Sequence, residues 1–190
     1  MVRQATEHDY SAIKAIKEKL ALEVSNLTDL AYKLHVQQQG FLLKSPYTEE
    51  DMKTDLQKVY VVYEHEGKVV GYLRIDEEQE MRKEADALWF RPELKDVFFA
   101  KPHADIGGIA VLPGDEQKGF ASQMLAHVEK ELQAKGISYV FSFIVLSPVV
   151  NFPSMMFHEK NGFERLALVP APELFVMKNF QSFLYGKKLS

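Results

Sequence analysis

The stretch that most limits how this chain can fold is "DIGGIAVLPGDEQKGFASQMLAHVEKELQAKGISYVFSFIVL", residues 105–146. Its first residues, "DIGGIAVLP", read as a strand that stops at Pro113, which cannot continue a ladder. Phe120, Met124, Val128 and Leu132 then recur at helical spacing, and Gly136 supplies a C-terminal stop. The run "SYVFSFIVL" at 138–146 is apolar on both faces, as a strand covered on both sides of a sheet must be. Strand, tight loop, helix and strand in direct succession call for a mixed α/β architecture with the helix packed on a sheet.

The remaining chain fits that frame. Residues 2–5, "VRQA", are extended in character, and Thr6-Glu7-His8-Asp9 has a capping-box shape ahead of Tyr10, Ile13, Ile16 and Leu20. A second helix is expected from about Leu27 to Gln38, stopped by Gly40, and another after the cap-like Thr48 to Asp51, through Met52 and Leu56. From Val59, "VYVVYEHEGKVVGYLRID" is two β-rich runs around Glu64 to Lys68, a hairpin in which Gly67 takes the left-handed turn. Residues 77–102 follow no period and read either as an excursion over a substrate cleft or as an ordinary packed insertion. A short helix from about Phe152 to Lys160 ends at Asn161-Gly162, with Phe157 and Phe163 expected inside, and "FERLALV" and "ELFVMKNF" supply two final strands. The order is β-α-α-ββ-β-α-β-α-ββ, one domain over residues 1–190.

Composition narrows the classes of function. With 190 residues, 46% hydrophobic and 26% charged, the chain can bury a sizeable core without covalent help. A net charge of −4 with no concentrated Lys/Arg block argues against nucleic acid as a partner. The chain has no cysteine, which removes disulfides, cysteine-ligated metals and a thiol nucleophile, and makes a reducing compartment the simplest setting. Its opening "MVRQATEHDY" lacks an apolar run of signal type, and the most apolar stretch is too short to cross a bilayer, so a cytoplasmic protein without a membrane partner is expected. The six histidines have no metal-ligand spacing, and no metal is expected.

The loop ahead of the 120–134 region is the best place for chemistry. Exposed N–H groups and the dipole at a helix start favour an anion, and Gly119, with the small Ala121 and Ser122, lets a ligand approach the backbone. A pyrophosphate-sized group suits such a loop; a plain turn is the alternative. Neither Gly-x-x-x-x-Gly-Lys-[Ser/Thr] nor Gly-x-Gly-x-x-Gly occurs, which lowers the rank of nucleoside triphosphates and dinucleotides.

At this point two motifs coincide. Glu116-Gln117-Lys118-Gly119-Phe120-Ala121 matches an Arg/Gln-x-x-Gly-x-Gly/Ala loop, and Asn151 through Phe163 matches an Asn-x-x-Ala/Ser-x-x-Phe-Tyr-x-Lys-x-Gly-Phe helix, after a strand ending Val111-Leu112-Pro113. Together they resemble the acetyl-CoA core of the GNAT acyltransferase superfamily. The resemblance implies a mixed, mostly antiparallel central sheet of about seven strands flanked by about four helices. It also implies a cofactor laid like an extra strand between two splaying strands, 105–112 and 138–146. Backbone N–H groups of Gln117, Lys118, Gly119, Phe120, Ala121 and Ser122 would cradle the pyrophosphate. Those of Ile109 and Val111 would hold the pantetheine and polarise the thioester carbonyl. Glu116 departs from the motif and is expected to turn to solvent, with Lys118 offsetting its charge.

A primary amine is mostly protonated at neutral pH, so transfer needs a base. Asp105 lies six residues before Val111, where a branch of the family carries a glutamate base; the shorter side chain would work through a water. A surface Asp at the strand start is the alternative, and His103 is a second candidate. His158 stands where the family has a tyrosine assigned as the acid for the leaving thiolate; unperturbed pKa values of about 10 for Tyr, about 6.5 for His and about 8.5 for a thiol frame the exchange. The alternative is a structural His158 with the thiolate protonated by solvent. Asn151 is either a contact to CoA, with Ser154, or the cap of its helix, and Pro153 fits that helix's first turn.

The reading is an acetyl-CoA-dependent N-acetyltransferase acting by direct attack of an amine, or a non-catalytic acyl-CoA-binding module of the same fold. The acceptor would take its contacts from residues 24–58 and 77–102, where Tyr47, Trp89 and Phe90 serve packing or recognition. With no extended acidic groove, a small amine or amino acid is favoured over a protein, and a homodimer is compatible with the chain.

Overall fold

The computed structural model describes residues 1–44, 50, 53, 56, 60–77, 86–99, 102–116, 118–174 and 177–189. The helix expected after Thr48 lies almost wholly outside the described residues; Leu56, which is described, is fully buried. The chain divides into two compact units, Met1–Ala21 with Leu42–Asp76 and Ile106–Gly136, and Leu22–Phe41 with Glu77–Asp105 and Ile137–Ser190.

In the first unit, strands β2 (Tyr60–His65) and β3 (Lys68–Glu77) pair antiparallel across the turn Glu66-Gly67. A two-residue turn that follows strand twist needs positive φ at both positions, and both have it, 50° at Glu66 and 73° at Gly67. The left-handed geometry thus extends to Glu66, beyond the glycine expected to carry it. Strand β1 (Val2–Gln4) pairs antiparallel with β2. Helix α1 (Tyr10–Lys19) buries Ile13 and Ile16 in a cluster with Tyr60, Val62, Tyr72 and Ala110. Its approach is fixed by Asp9, whose carboxylate accepts the Thr6 N–H at 2.8 Å and the Arg3 guanidinium at 2.7 and 2.8 Å. Beside β3 runs β5 (Ala104–Val111), followed by helix α4 (Phe120–Ala134). Met124, Leu125, Val128 and Leu132 are the buried face of α4, and Gly136 ends it at φ 77°.

The second unit is built on β6 (Tyr139–Ser147), β7 (Glu164–Leu174) and β8 (Met177–Lys188), hydrogen-bonded in the order β6-β8-β7 and all antiparallel. The first residues of β5 pair parallel with β6 at Ala104↔Val140 and Asp105↔Phe141, and from Ile106 on β5 belongs to the first unit. A two-residue strand, β4 (Leu88–Trp89), adds to β7. The described residues therefore hold eight strands and five α-helices, against about seven and four expected, in a mixed, mostly antiparallel α/β arrangement.

Two expectations need correction, and one left open is decided. The second helix, α2 (Leu30–Gln39), begins after Asp29 rather than at Leu27, because the Asp29 side chain accepts the N–H of Ala31 at 2.8 Å and caps it there. Strand β7 runs on through Pro170 and Pro172, which a strand tolerates when their nitrogens face away from the partner. Of the two readings of 77–102, the described part takes the packed one: helix α3 (Lys95–Phe99) drives Phe98 into full burial with Phe141, Leu166, Ala167 and Leu184.

Candidate functional site

Just past the end of β5, the N–H of Leu112 donates to the Val70 carbonyl of β3 at 2.8 Å. Backbone groups alternate sides along a strand, so the N–H groups of Ile109 and Val111 face the edge away from β3. The chain then turns, with the Asp115 N–H donating to Leu112 at 3.0 Å, and reaches Gly119 at φ 80°, ψ 9°. That left-handed residue is the N-cap of α4, and no side chain caps the helix. The helical ladder begins with Gln123 N–H donating to Gly119 at 3.0 Å. The N–H groups of Phe120, Ala121 and Ser122 precede it and have no intrahelical acceptor. The first turn carries no acidic side chain. These donors and the helix dipole make a place for an anion.

The loop's charges are held within the loop. Glu116 is exposed, but its carboxylate folds back to accept the Gly114 N–H. Lys118 pairs with Asp115 at 2.6 Å rather than with Glu116. Gln117 lies outside the described residues. Phe120 contributes only backbone to the loop, because its ring is buried against Tyr63.

The second unit holds Asp105 at the start of β5, and on one helix it links Asn151, Ser154 and His158 through hydrogen bonds. Asp105 is 5% exposed and His103 3%, so neither is the solvated side chain that the sequence left open. The His103 ring packs on Phe98 and against the edge of Phe141. Helix α5 (Phe152–Lys160) has the bounds expected of it, with Asn151 as its N-cap and Pro153 in its first turn. Asn151 accepts the Ser154 N–H at 3.3 Å and donates to the Phe41 carbonyl at 2.9 Å, joining the start of α5 to the end of α2.

His158 is the buried ring of this helix, at 1% exposure, whereas Phe157 is half-buried. It lies among Phe157, Phe163 and Tyr185, and its Nδ1 is 2.7 Å from the Ser154 carbonyl, an arrangement that places the proton on Nδ1. Nε2 is buried without a hydrogen-bond partner. Burial pushes the imidazole down to about 4, against a small opposing effect of the Ser154 hydrogen bond. The acid that the resemblance implied needs an imidazolium, and this ring is neutral at pH 7. Nearby, Tyr185 donates to Glu159 at 2.9 Å and accepts from Arg165 at 2.8 Å, and burial raises it to about 12.

One arrangement was not anticipated. Arg74 and Asp76 of β3 form an ion pair that lies over Gly107: a Cβ there would come 2.3 Å from Asp76 Oδ2. The paired glycines 107 and 108 inside a strand were the available signal, since glycine in a strand marks a close approach. Among the described residues no group of three His, Cys, Asp or Glu side chains could hold a metal, and no helix is long and apolar enough to cross a membrane.

A mostly antiparallel mixed sheet, with a strand that runs through left-handed Gly119 into a helix without a side-chain cap, defines the class of α/β fold. The acetyltransferase (GNAT) family model matches residues 14–163, and the chain belongs to that family. Solved structures share the fold. An N-acetyltransferase from Staphylococcus aureus Mu50 is 20% identical, with 100% of this chain and 98% of that chain covered and a TM-score of 0.63. A ribosomal-protein-alanine N-acetyltransferase from Brucella melitensis is 21% identical, covering 100% and 99%, at 0.61. An N-acetyltransferase from Thermoplasma acidophilum in complex with coenzyme A is 12% identical, covering 99% and 98%, at 0.60. At such identities the likeness concerns the fold alone. No curated protein matches the sequence.

Proposed function

We propose that the chain is an N-acetyltransferase, acting as one domain over residues 1–190, that moves an acetyl group from acetyl-CoA to a primary amine by direct attack in a ternary complex. The observation that carries this reading is the run, within the first unit, from the outward N–H groups of β5 through left-handed Gly119 to the uncapped first turn of α4. Those donors suit a pyrophosphate, and an added Cβ on Gly119 would find only Gln123 Nε2, at 4.0 Å, so the approach is open. Family membership and the coenzyme A complex of the Thermoplasma relative support the same ligand.

When bound, acetyl-CoA supplies a thioester whose acyl carbon is open to an amine. The chain's own residues do the rest. The N–H groups of Gln117, Lys118, Gly119, Phe120, Ala121 and Ser122 hold the pyrophosphate. Those of Ile109 and Val111 align the pantetheine and stabilise charge on the carbonyl oxygen. Asn151 and Ser154 complete the cofactor contacts from the start of α5. Asp105, through a water, removes the proton from the acceptor ammonium, with His103 as the second candidate base. Water returns a proton to the leaving sulfur, because His158 is kept neutral and serves to hold α5. A small amine rather than a protein is the acceptor, and the reducing cytoplasm is the natural setting for a cysteine-free chain.

Thermal denaturation with added acetyl-CoA, followed by thiol release across a panel of amines, tests this. A raised melting temperature and amine-dependent thiol release are expected; no thermal shift at high cofactor concentration refutes CoA binding. The second reading, a non-catalytic acyl-CoA-binding module, draws on Glu116 at the loop's first position and on neutral His158 in place of the tyrosine. Stabilisation without thiol release for any amine would favour it.

A further inference from the structure

Helix α5 ends in a closed set of backbone bonds. The Gly162 N–H donates to the Glu159 carbonyl at 3.1 Å and the Phe163 N–H to the His158 carbonyl at 3.0 Å, with Gly162 left-handed at φ 82°. Two such bonds, joined by an apolar contact from the residue beyond the glycine, make the Schellman closure of a helix. Here that contact is the Phe163 ring, 4% exposed, set edge-on against His158 with centroids 4.9 Å apart. Asn161, the C-cap, adds a bond of its own: its side-chain amide donates to the Phe157 carbonyl at 2.8 Å.

Asn followed by Gly is the pair in which an asparagine side chain is most open to its own backbone, because glycine has no side chain to shield its nitrogen. The Gly162 nitrogen, once its proton has gone to hydroxide, attacks Asn161 Cγ. The N–Cγ bond forms, the Cγ–Nδ2 bond breaks, and Nδ2 takes up a proton and leaves as ammonia. Water then opens the cyclic imide at either carbonyl, giving Asp at 161 or an isoaspartyl link that runs the main chain through Cγ. No oxidant, reductant or cofactor is needed. In the structure both reacting groups are tied to the same helix end, Nδ2 to Phe157 and the Gly162 N–H to Glu159. Gly162 is exposed, so these hydrogen bonds rather than burial restrain the reaction.

We propose that Asn161-Gly162 is a self-modification site latched by the last turn of α5, and that fraying of this turn converts Asn161 irreversibly to Asp or isoaspartate. Helix ends open without global unfolding, and one opening frees both groups at once. Neither product can donate to Phe157, and each leaves a carboxylate among the carbonyls at the negative pole of the helix. The isoaspartyl link also lengthens the main chain by a carbon ahead of Phe163 and draws its N–H away from His158. A modified chain has lost its latch and keeps a permanent record that α5 opened. This chemistry needs no acyl donor and is independent of the acyltransferase reading.

The test incubates the whole chain at pH 8 and 37 °C, native and unfolded in guanidinium chloride, and follows conversion at each asparagine by mass spectrometry of proteolytic peptides. In the unfolded chain Asn161 should convert ahead of Asn26, Asn151 and Asn179. In native protein it should convert at least about tenfold more slowly, at a rate set by the open fraction of the turn. That native rate should rise at guanidinium concentrations below the global transition. Phe163→Ala, which removes the apolar contact of the latch, should raise the native rate and leave the unfolded rate unchanged. Asn161→Asp should lower the melting temperature. Equal native and unfolded rates overturn the latch, as does a native rate that rises only with the global transition. An unfolded chain in which Asn161 converts no faster than the other asparagines overturns the site itself. These three outcomes need only the wild-type protein, so they decide the matter even if Phe163→Ala fails to fold.

Discussion

The ring of Tyr63 on β2 stacks on Phe120, the first residue of α4, with centroids 4.1 Å apart and planes 16° from parallel. The residue whose N–H group begins the candidate anion site is thereby anchored through its side chain in the first unit's interior. Phe120→Ala should cost about 3–5 kcal/mol, the usual range for emptying a buried aromatic site. Chemical denaturation measures this, and acetyl-CoA affinity measured by calorimetry should fall as well, because the first turn of α4 loses its anchor.

Gly119 separates geometry from charge. At φ 80° an alanine adds about 1–2 kcal/mol of backbone strain, yet its methyl has room. Gly119→Ala should therefore lower the melting temperature modestly and retain weakened binding. Gly119→Glu should keep the circular dichroism of the fold and lose acetyl-CoA binding, since it sets a carboxylate among donors aimed at an anion. Unchanged affinity in Gly119→Glu would refute the loop assignment.

His158 gives the pH dependence a definite sign. Its folded-state pKa is pushed down to about 4 from 6.5, so between those values the unfolded chain binds a proton that the folded ring refuses. Its stabilising contribution is whole above pH 6.5 and is lost as pH falls toward 4, at about 1.4 kcal/mol per unit. Asp9 follows a lower window: its hydrogen bond from Arg3, foremost, holds it near 2, so its contribution is present above about 4 and is lost as pH falls through 2. Urea melts at pH 7, 5.5 and 4.5 should show the first decline, and His158→Phe should flatten it. The same variant should leave the pH profile of kcat/KM between 6 and 9 unchanged, since no imidazolium is used.

Gly186 marks a packing limit in the second unit. A Cβ there would come 2.5 Å from Leu166 and 2.9 Å from Phe141, both fully buried. Gly186→Ala should cost about 1–3 kcal/mol by overpacking. A paired Gly186→Ala, Leu166→Ala variant should be less destabilised than the sum of its parts, which denaturation of the four proteins would show.

What could be read in the sequence was what local chemistry decides. Helix α5 came out with its bounds intact because Asn151, Pro153 and Gly162 are signals within the element itself. The hairpin of β2 and β3 and the strand–loop–helix at Gly119 were legible for the same reason. Features set by distant partners were not. His158 is buried by Phe163 and by Tyr185 of a later strand, and Asn151 donates to the carbonyl of Phe41, 110 residues away. Strand β4 is two residues long, too short to have a period. The ion pair of Arg74 and Asp76 over Gly107 joins two strands, and only the glycine pair left a trace of it in the sequence.

The prolines of β7 have a bearing on life before folding is finished. Past Leu168, the last residue of β7 paired to β4, the strand's outer edge carries Pro170 and Pro172. An edge deprived of donors at every second position is a poor template for another chain's backbone. On a crowded ribosome-born population of identical polypeptides, that stretch of the β7–β8 hairpin is a poor seed for recruiting neighbours into aggregates.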